Sequence, residues 1–419
     1  MNTKVRCFVS GKVLTVIAVS TLVMLWSALA VAQQPIKIGV ISNLTGPGSV
    51  DGQDVANAVQ MAIDEAKNTA AGRPIKVIVE DDTAKPPVGL AKARKLVMED
   101  GVHIITGVLQ GNVNAAVAPY ANEQKVPLLA MASSPTDYTY KKTMPYFFRL
   151  SPSGTQLTHP FGDWAAKKLG VKEVATIAMD YTYGYDNVSS FQRTFEEAGG
   201  KVIQKIWLPM DVMDLAPYIS KINKSADAVF VLLVGSNALR FAKQFDEAGL
   251  KNKMKVLAGP PVTSETVLQA MGDEAVGFYS VSHWSSALQT PEAQKFVAEY
   301  RKRYKGTPGM FGEAGYCTGL FILEAIKAAK GNVEAKPEFL EILKKTKVAK
   351  SPRGTIEVDE YNSAVLNTYI LKVERVGGKL QNTVIDTIPS VSQFWKFNVA
   401  AFLKEPLYSR DYPPCKYCK

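Results

Sequence analysis

Cysteine and histidine are scarce in this chain, four and three residues of 419. Only Cys415 and Cys418 lie close together, in the run Cys-Lys-Tyr-Cys. His103, His159, His283 and Cys317 are widely dispersed, so no zinc site with ordinary ligand spacing can be read. There is no G-x-S-x-G, no H-E-x-x-H and no Walker loop. Gly46-Pro47-Gly48 has too few glycines for a dinucleotide fingerprint. These absences argue against an enzyme, and neither cofactor nor metal is expected. Long runs of basic residues are also missing. The positive charges are scattered, as in Lys141-Lys142, Arg301-Lys302-Arg303 and Lys344-Lys345, which reads as a solvated surface and not as a nucleic-acid stripe. Asp81-Asp82 follows an apolar strand, but no further carboxylates are spaced to complete a metal shell, so a turn role is expected.

Among what is present, the first segment stands out. Lys4, Arg6 and Lys12 precede an apolar run from Val13 to Ala32 that closes on Ala28-Leu29-Ala30-Val31-Ala32. A basic start, an apolar middle and a small-residue end read as a secretory signal peptide, residues 1–32, cut after Ala32. The run is also long enough to span a bilayer if it were retained. No second stretch of that length follows, so a soluble, periplasmic chain is expected. The formal charge is +10, and loss of the leader's three cations leaves +7. Within an oxidising compartment Cys415 and Cys418 can close a small disulfide in the tail.

From Ile36 onward, apolar strands alternate with helical spacing. Strands are expected at Ile36–Ile41, Ile75–Val79, His103–Leu109 and Val126–Ala130, with helices around Val55–Ala66, Ala91–Met98 and Val113–Glu123 between them. The rhythm repeats with strands at Val174–Met179, Val202–Leu208, Ala228–Val234, Lys255–Ala258 and Val276–Val281. Helices are expected at Thr155–Leu169, Asn187–Ala198, Leu215–Lys221 and Asn237–Ala248, then at Pro291–Tyr304 and Ala314–Ala329. Gly354–Val358 and Asn367–Val373 are strand-like and precede the turn Gly377-Gly378. Continuous apolar strands alternating with helices imply parallel sheets covered on both faces. Two such α/β units imply two Rossmann-like lobes. Their ligand edges lie beyond the carboxyl ends of the strands, and closure of one on the other would bury a small solute.

The order of motifs resembles the leucine/isoleucine/valine-binding family of periplasmic proteins, the type I solute-binding fold. The matching stretches are Ile36–Pro47 (IKIGVISNLTGP), Glu80-Asp-Asp82, Thr106-Gly-Val108, Val126-Pro-Leu-Leu129 and Phe147-Phe-Arg-Leu150. They continue with Asp180-Tyr-Thr-Tyr-Gly184, Ala248-Gly-Leu250 and Ser351-Pro-Arg-Gly-Thr355. Each is weak alone, but their succession covers most of the chain. The resemblance implies three crossovers between lobes, with lobe one at 36–151 plus 279–353, lobe two at 152–278 plus 354–400, and a tail at 401–419 that packs on the surface. It implies a monomer that captures a small carboxylate by lobe closure and delivers it to the membrane subunits of an ABC importer. A ligand-sensing receptor domain, or an amide- or urea-type binder, on the same fold is the alternative.

The resemblance also assigns binding positions. Gln110-Gly111-Asn112 would open a helix after one strand, and Ala132-Ser133-Ser134 would follow the next. In the family, backbone amides and a hydroxyl at these places hold the ligand's carboxylate, with Ser134 on the hydroxyl position and Ala132 on a backbone position. Helix starts suit an anion, although Ser133 and Ser134 can equally cap a helix. Tyr183 falls on the tyrosine that lines the cleft. Two departures stand out. Where amino-acid binders carry a carboxylate for the ligand's ammonium, this chain has Gly259-Pro260-Pro261; a second aromatic cleft position reads Val234-Gly235-Ser236. A buried ammonium without a partner costs several kcal/mol, on the order of 3–5 for a broken pair. The expected solute is therefore an aromatic or other organic carboxylate without an α-amino group, with Tyr183, Tyr185 and Trp284 as apolar walls. A shift of a few residues in the comparison would bring Glu265 to the ammonium position instead.

Overall fold

The computed structural model describes residues 1, 34–46, 48–131, 136–142 and 144–418. The expected leader lies outside the described residues except for Met1. Residues from Ile36 to the C-terminus form one compact unit.

Among the described residues the strands form two sheets. The first has six strands in the order β2-β3-β1-β4-β5-β6. These are β1 (Ile36–Ser42), β2 (Thr69–Ala70), β3 (Arg73–Asp81), β4 (Ile104–Gly107), β5 (Leu128–Ala130) and β6 (Phe147–Arg149). All its pairs are parallel except the short β2–β3 turn-back. The second sheet has seven strands in the order β13-β12-β11-β10-β9-β7-β8. They are β7 (Glu173–Met179), β8 (Lys201–Leu208), β9 (Ala228–Leu232), β10 (Lys255–Ala258), β11 (Tyr279–Ser282), β12 (Leu366–Val376) and β13 (Lys379–Val391). Its first five strands in sequence are parallel, and the β12–β13 hairpin joins antiparallel to β11. The helices used below are α1 (Ser49–Glu65), α2 (Gly111–Glu123), α3 (Asp137–Tyr140), α4 (Thr158–Lys167), α5 (Thr182–Glu197), α6 (Pro291–Tyr304) and α7 (Met310–Ala328).

The buried apolar runs account for this architecture. Residues of β5, β6 and β9 are buried throughout, as strands covered on both faces must be. Helix α7 returns to the first sheet and packs on α1 so closely that a Cβ on Gly315 would lie 2.8 Å from the Val55 carbonyl oxygen, and one on Gly319 2.6 Å from Ala62 Cβ. Glycine at these two places is what lets the helices touch. In the second lobe, Phe191 of α5 stacks on Phe230 of β9 with ring centroids 4.4 Å apart, and Phe161 and Phe195 extend the cluster.

Three departures from the sequence expectation are informative. The strand Tyr279–Ser282 belongs to the second sheet, so the chain passes to the first lobe after it and not before it. The segment 354–365 forms only isolated bridges, Val348–Ile356, Val358–Ala364 and Arg149–Ser363, and so stays against the first lobe until β12 begins. Strand β13 has no strong apolar signal, because it is a partly exposed edge strand whose residues alternate in burial.

Truncating the stacked ring tests the second core. Phe230→Ala should lower the unfolding free energy by about 3–5 kcal/mol, read from the urea midpoint at unchanged slope. A loss below about 1 kcal/mol would mean that Phe191 and Phe195 do not depend on it.

Candidate functional site

The carboxyl ends of the strands carry the loops that matter. In the first lobe, β1 ends at buried Ser42 and Asn43 and leads through Leu44–Gly48 into α1. Asp81 ties this loop down: its carboxylate accepts from the Leu44 amide at 3.0 Å, from the Thr83 amide at 2.8 Å and from the Thr45 hydroxyl at 2.6 Å. That is the turn role expected of Asp81-Asp82. Strand β4 is followed by buried Val108 and Leu109 and then by Gln110, whose carbonyl accepts from the Asn114 amide at 2.8 Å as α2 starts. A Cβ on Gly48 would lie 3.1 Å from Gln110 Nε2 and 3.2 Å from Asn43 Nδ2, so the β1 and β4 loops meet here.

In the second lobe, Tyr181 is fully extended at φ −161°, ψ 172° and α5 begins at Thr182. Gly184 permits that abrupt start, since a Cβ there would meet the Met179 carbonyl oxygen at 2.0 Å. The sequence pattern placed this helix five residues later, because Thr-Tyr-Gly-Tyr-Asp has no helical apolar spacing. Gly235, at the end of β9, has φ +55° and ψ −129°, a backbone region that only glycine occupies readily. Gly259, Pro260 and Pro261 follow β10 and are buried.

The two rims meet at Asp51 of α1 and Thr266. The Thr266 hydroxyl donates to Asp51 Oδ1 at 3.0 Å. Asp51 is also close enough that its charge helps raise the Tyr183 phenol above its ordinary pKa, after burial, which is the larger cause. One turn further, Asp54 Oδ2 accepts the amides of Gly309 and Gly312 at 2.8 and 3.0 Å, capping α7. These residues are 215 positions or more from their partners, and nothing in local pattern marks them.

The expected site residues fall as follows. Gln110 and Gly111 are half-buried at the start of α2, whereas Asn112 is exposed and its Oδ1 accepts from the Val113 amide at 3.0 Å. Ala132, Ser133 and Ser134 lie outside the described residues. Tyr183 is half-buried with its ring 6.1 Å from that of Tyr181. Tyr181 was not expected; burial raises its phenol too. Tyr185 turns to β8: its hydroxyl donates to Asp180 Oδ1 at 2.6 Å and its ring meets Trp207 edge-on at 5.2 Å. Trp284 has no exposed surface, and its Nε1 donates to the Pro308 carbonyl at 3.2 Å. Glu265 Oε1 accepts from the Ser286 amide at 3.2 Å and from Asn382 Nδ2 at 3.3 Å. It thereby fastens the crossover after β11 to β13.

Comparisons with known proteins bear on the family and the fold. The family profile described as periplasmic binding protein matches residues 35–379. The Leu/Ile/Val-binding protein homolog 6 of Brucella melitensis is 29% identical over 382 residues, covering 89% of this chain and 96% of its own. A solute-binding protein of an ABC transporter from Rhodopseudomonas palustris BisB5, solved in complex with 3,4-dihydroxybenzoic acid, is 34% identical with a TM-score of 0.80. The match covers 86% of this chain and 98% of that one. A second solute-binding protein from R. palustris, in complex with 4-hydroxybenzoate, is 30% identical with a TM-score of 0.80 over 86% of this chain and 99% of its own.

Burial pushes Asp54 up to about 7 from an ordinary 3.8. A carboxyl raised in the fold binds its proton more tightly folded than unfolded. Its ionisation therefore costs stability progressively as pH rises from about 4 to about 7, and this cost is absent below that window. Over that range wild-type unfolding free energy should fall by up to roughly 4 kcal/mol more than that of Asp54→Asn. Urea titrations at several pH values read the difference, and parallel curves would contradict it.

Proposed function

The chain belongs to the periplasmic binding protein family, in the type I branch of Leu/Ile/Val-binding proteins that serve ABC importers, and on that premise we propose that its cleft captures an aromatic carboxylate without an α-amino group. Members of the family bind solutes and are not enzymes; they work outside the cytoplasm with the membrane subunits of an importer. The leader at residues 1–32 accords with that location, and no helix among the described residues is long and apolar enough to cross a membrane. We take the protein to act as a monomer.

The observation that carries the reading is the pair Pro260-Pro261, buried just after β10, at the position to which the family resemblance assigns the carboxylate of amino-acid binders. Proline cannot neutralise an ammonium, and the nearby Glu265 is already engaged by Ser286 and Asn382. Tyr181 and Tyr183 offer ring faces with phenol groups that stay protonated, hence hydrogen-bond donors as well as apolar walls. The start of α2 at Gln110-Gly111 and the positions of Ala132, Ser133 and Ser134 would supply amides and a hydroxyl to the solute's carboxylate. The benzoate-type solutes of the two R. palustris proteins support this chemistry. Gly235, in place of an aromatic side chain, would leave room for a substituted ring. Trp284, being enclosed, would back the site from within, and Tyr185 would steady the loop through Asp180.

Capture follows from differential contact. The open form exposes both rims, and a solute that touches both stabilises the closed form; the hydrogen bond of Thr266 to Asp51 already joins the rims. Asp51 is also what favours a second reading, an amino-acid solute, because it brings a carboxylate to the rim. Against that reading, Asp51 Oδ1 is already engaged by the Thr266 hydroxyl, and burial raises its carboxyl to about 6.

Thermal melts of the purified protein over a panel of solutes discriminate the two. A concentration-dependent rise is expected with 4-hydroxybenzoate or 3,4-dihydroxybenzoate and none with leucine or valine, a saturating ligand at a hundred times Kd stabilising by about 2.7 kcal/mol. The opposite pattern would overturn the reading. Tyr183→Ala combined with Ser134→Ala should weaken binding at least tenfold while the unliganded melt stays within a few degrees; unchanged affinity would remove both residues from the site.

A further inference from the structure

The C-terminal segment does more than cover surface. It packs along the edge strand β8, where Lys205 Nζ donates to the Pro413 carbonyl at 2.9 Å and Cys415 Sγ lies 3.3 Å from the Val202 carbonyl oxygen. Covering an unpaired edge is a sufficient reason for a tail to exist. The disulfide Cys415–Cys418 closes a small ring at this end. Three further groups of contacts go beyond edge cover.

The middle of the tail is anchored on the second lobe. Glu405 receives Arg193 Nη1 and Nη2 of α5 at 2.5 and 3.0 Å, and the same guanidinium lies 3.9 Å over the Phe397 ring. The Tyr408 hydroxyl shares a 2.8 Å hydrogen bond with His159 Nε2 of α4. From this anchor one arm reaches into the first lobe. Tyr140 of α3 packs against both Phe394 and Phe402, with ring centroids 5.2 and 5.4 Å away, and the Thr139 hydroxyl donates to Gln393 Oε1 at 2.7 Å. The other arm reaches the base of the second lobe's cleft loop. Arg410 Nη1 lies 3.0 Å from Asp180 Oδ2, and Asp180 also receives the Tyr185 hydroxyl. Asp180 directly precedes Tyr181 and shares its short loop with Tyr183. One covalent segment thus grips the elements that carry the cleft loops of both lobes, from the side of the crossovers.

We propose that residues 392–418 form a clasp on the solute-binding loops, in which Phe402 and Arg410 are positioning residues for α3 and for the Asp180–Tyr183 loop. Neither needs to touch the solute. Phe402 fixes Tyr140 by packing three ways, against Tyr140, Phe394 and Phe397. Arg410 fixes Asp180 through a half-exposed ion pair, whose share is correspondingly small. The clasp rests on the cleft reading above only for what the loops bind.

Its test therefore uses no solute. Amide hydrogen exchange is measured on the unliganded full chain carrying Phe402→Ala, Arg410→Ala or Arg410→Lys. Phe402→Ala should speed exchange in 136–140 about tenfold, and Arg410→Ala should speed exchange in 181–184 about threefold. Exchange in β1, β9 and α1 should be unchanged, and Arg410→Lys should restore the wild-type rate. If exchange rises only in β8, the tail is an edge cover and the clasp is wrong; unchanged rates at both loops also overturn it. Should Phe402→Ala not fold, Phe402→Leu is read in the same way, with a smaller rise at 136–140. A separate titration of wild type with 4-hydroxybenzoate tests the solute reading alone, so either proposal can fail while the other stands.

Discussion

A buried ion pair at the crossovers governs how the two halves of this molecule are held. Arg353, on the segment leading to the third crossover, gives Nε and Nη2 to the Glu313 carboxylate of α7 at 2.7 and 2.6 Å, and Nη1 to the Leu150 carbonyl at 2.6 Å. His283, just beyond β11, lies 3.1 Å from the same carboxylate. Burial alone would raise Glu313, but Arg353 and His283 outweigh it and hold its carboxyl at about 2. Leu150, His283 and Arg353 stand on the three stretches by which the chain passes between sheets. Breaking such a pair by removing one partner costs about 3–5 kcal/mol, since a charge is left in the interior without its counterpart. Hinge stretches tied at one point can flex together but cannot drift apart.

The site inherits its geometry from that tie. Parallel strands deliver their loops to one edge of each sheet, and the crossovers set those two edges against each other. Asp51 and Thr266 then meet across the rim, with Asp51 near enough to Tyr183 for its charge to act on that phenol. Glu265 serves the same end from the second lobe, since it binds the crossover at Ser286 and the strand at Asn382. Helix starts and the protonated phenols of Tyr181 and Tyr183 stand beyond these strand ends, groups suited to recognising a small solute.

Much of this was legible in the sequence for a definite reason. Strands covered on both faces are nearly continuous apolar runs, so β1, β4, β7, β9 and β10 announce themselves, and the residues at their ends follow by position. Tyr183, Gly235 and Pro261 follow such strands, and only the family resemblance marks them as site candidates. Starts of helices without apolar spacing were not legible, and α5 begins earlier than expected because Gly184 lets its first turn press on β7. Edge strand β13 was missed because one exposed face dilutes its pattern. Tyr185 and Trp284 sit beside the right loops in sequence, yet their side chains are directed to Asp180 and to Pro308.

Local periodicity and motif order thus determined two α/β units and the family resemblance, because strand and helix patterns and short motifs are each written within a few neighbouring residues. Tertiary structure alone decided the meeting of Asp51 with Thr266, the knot of Arg353 with Glu313 and the reach of the tail to Tyr140 and Asp180. The hydrogen bonds among these contacts join positions from 40 to 254 residues apart, and their partners are selected by how the sheets pack and not by what stands next to them in the chain.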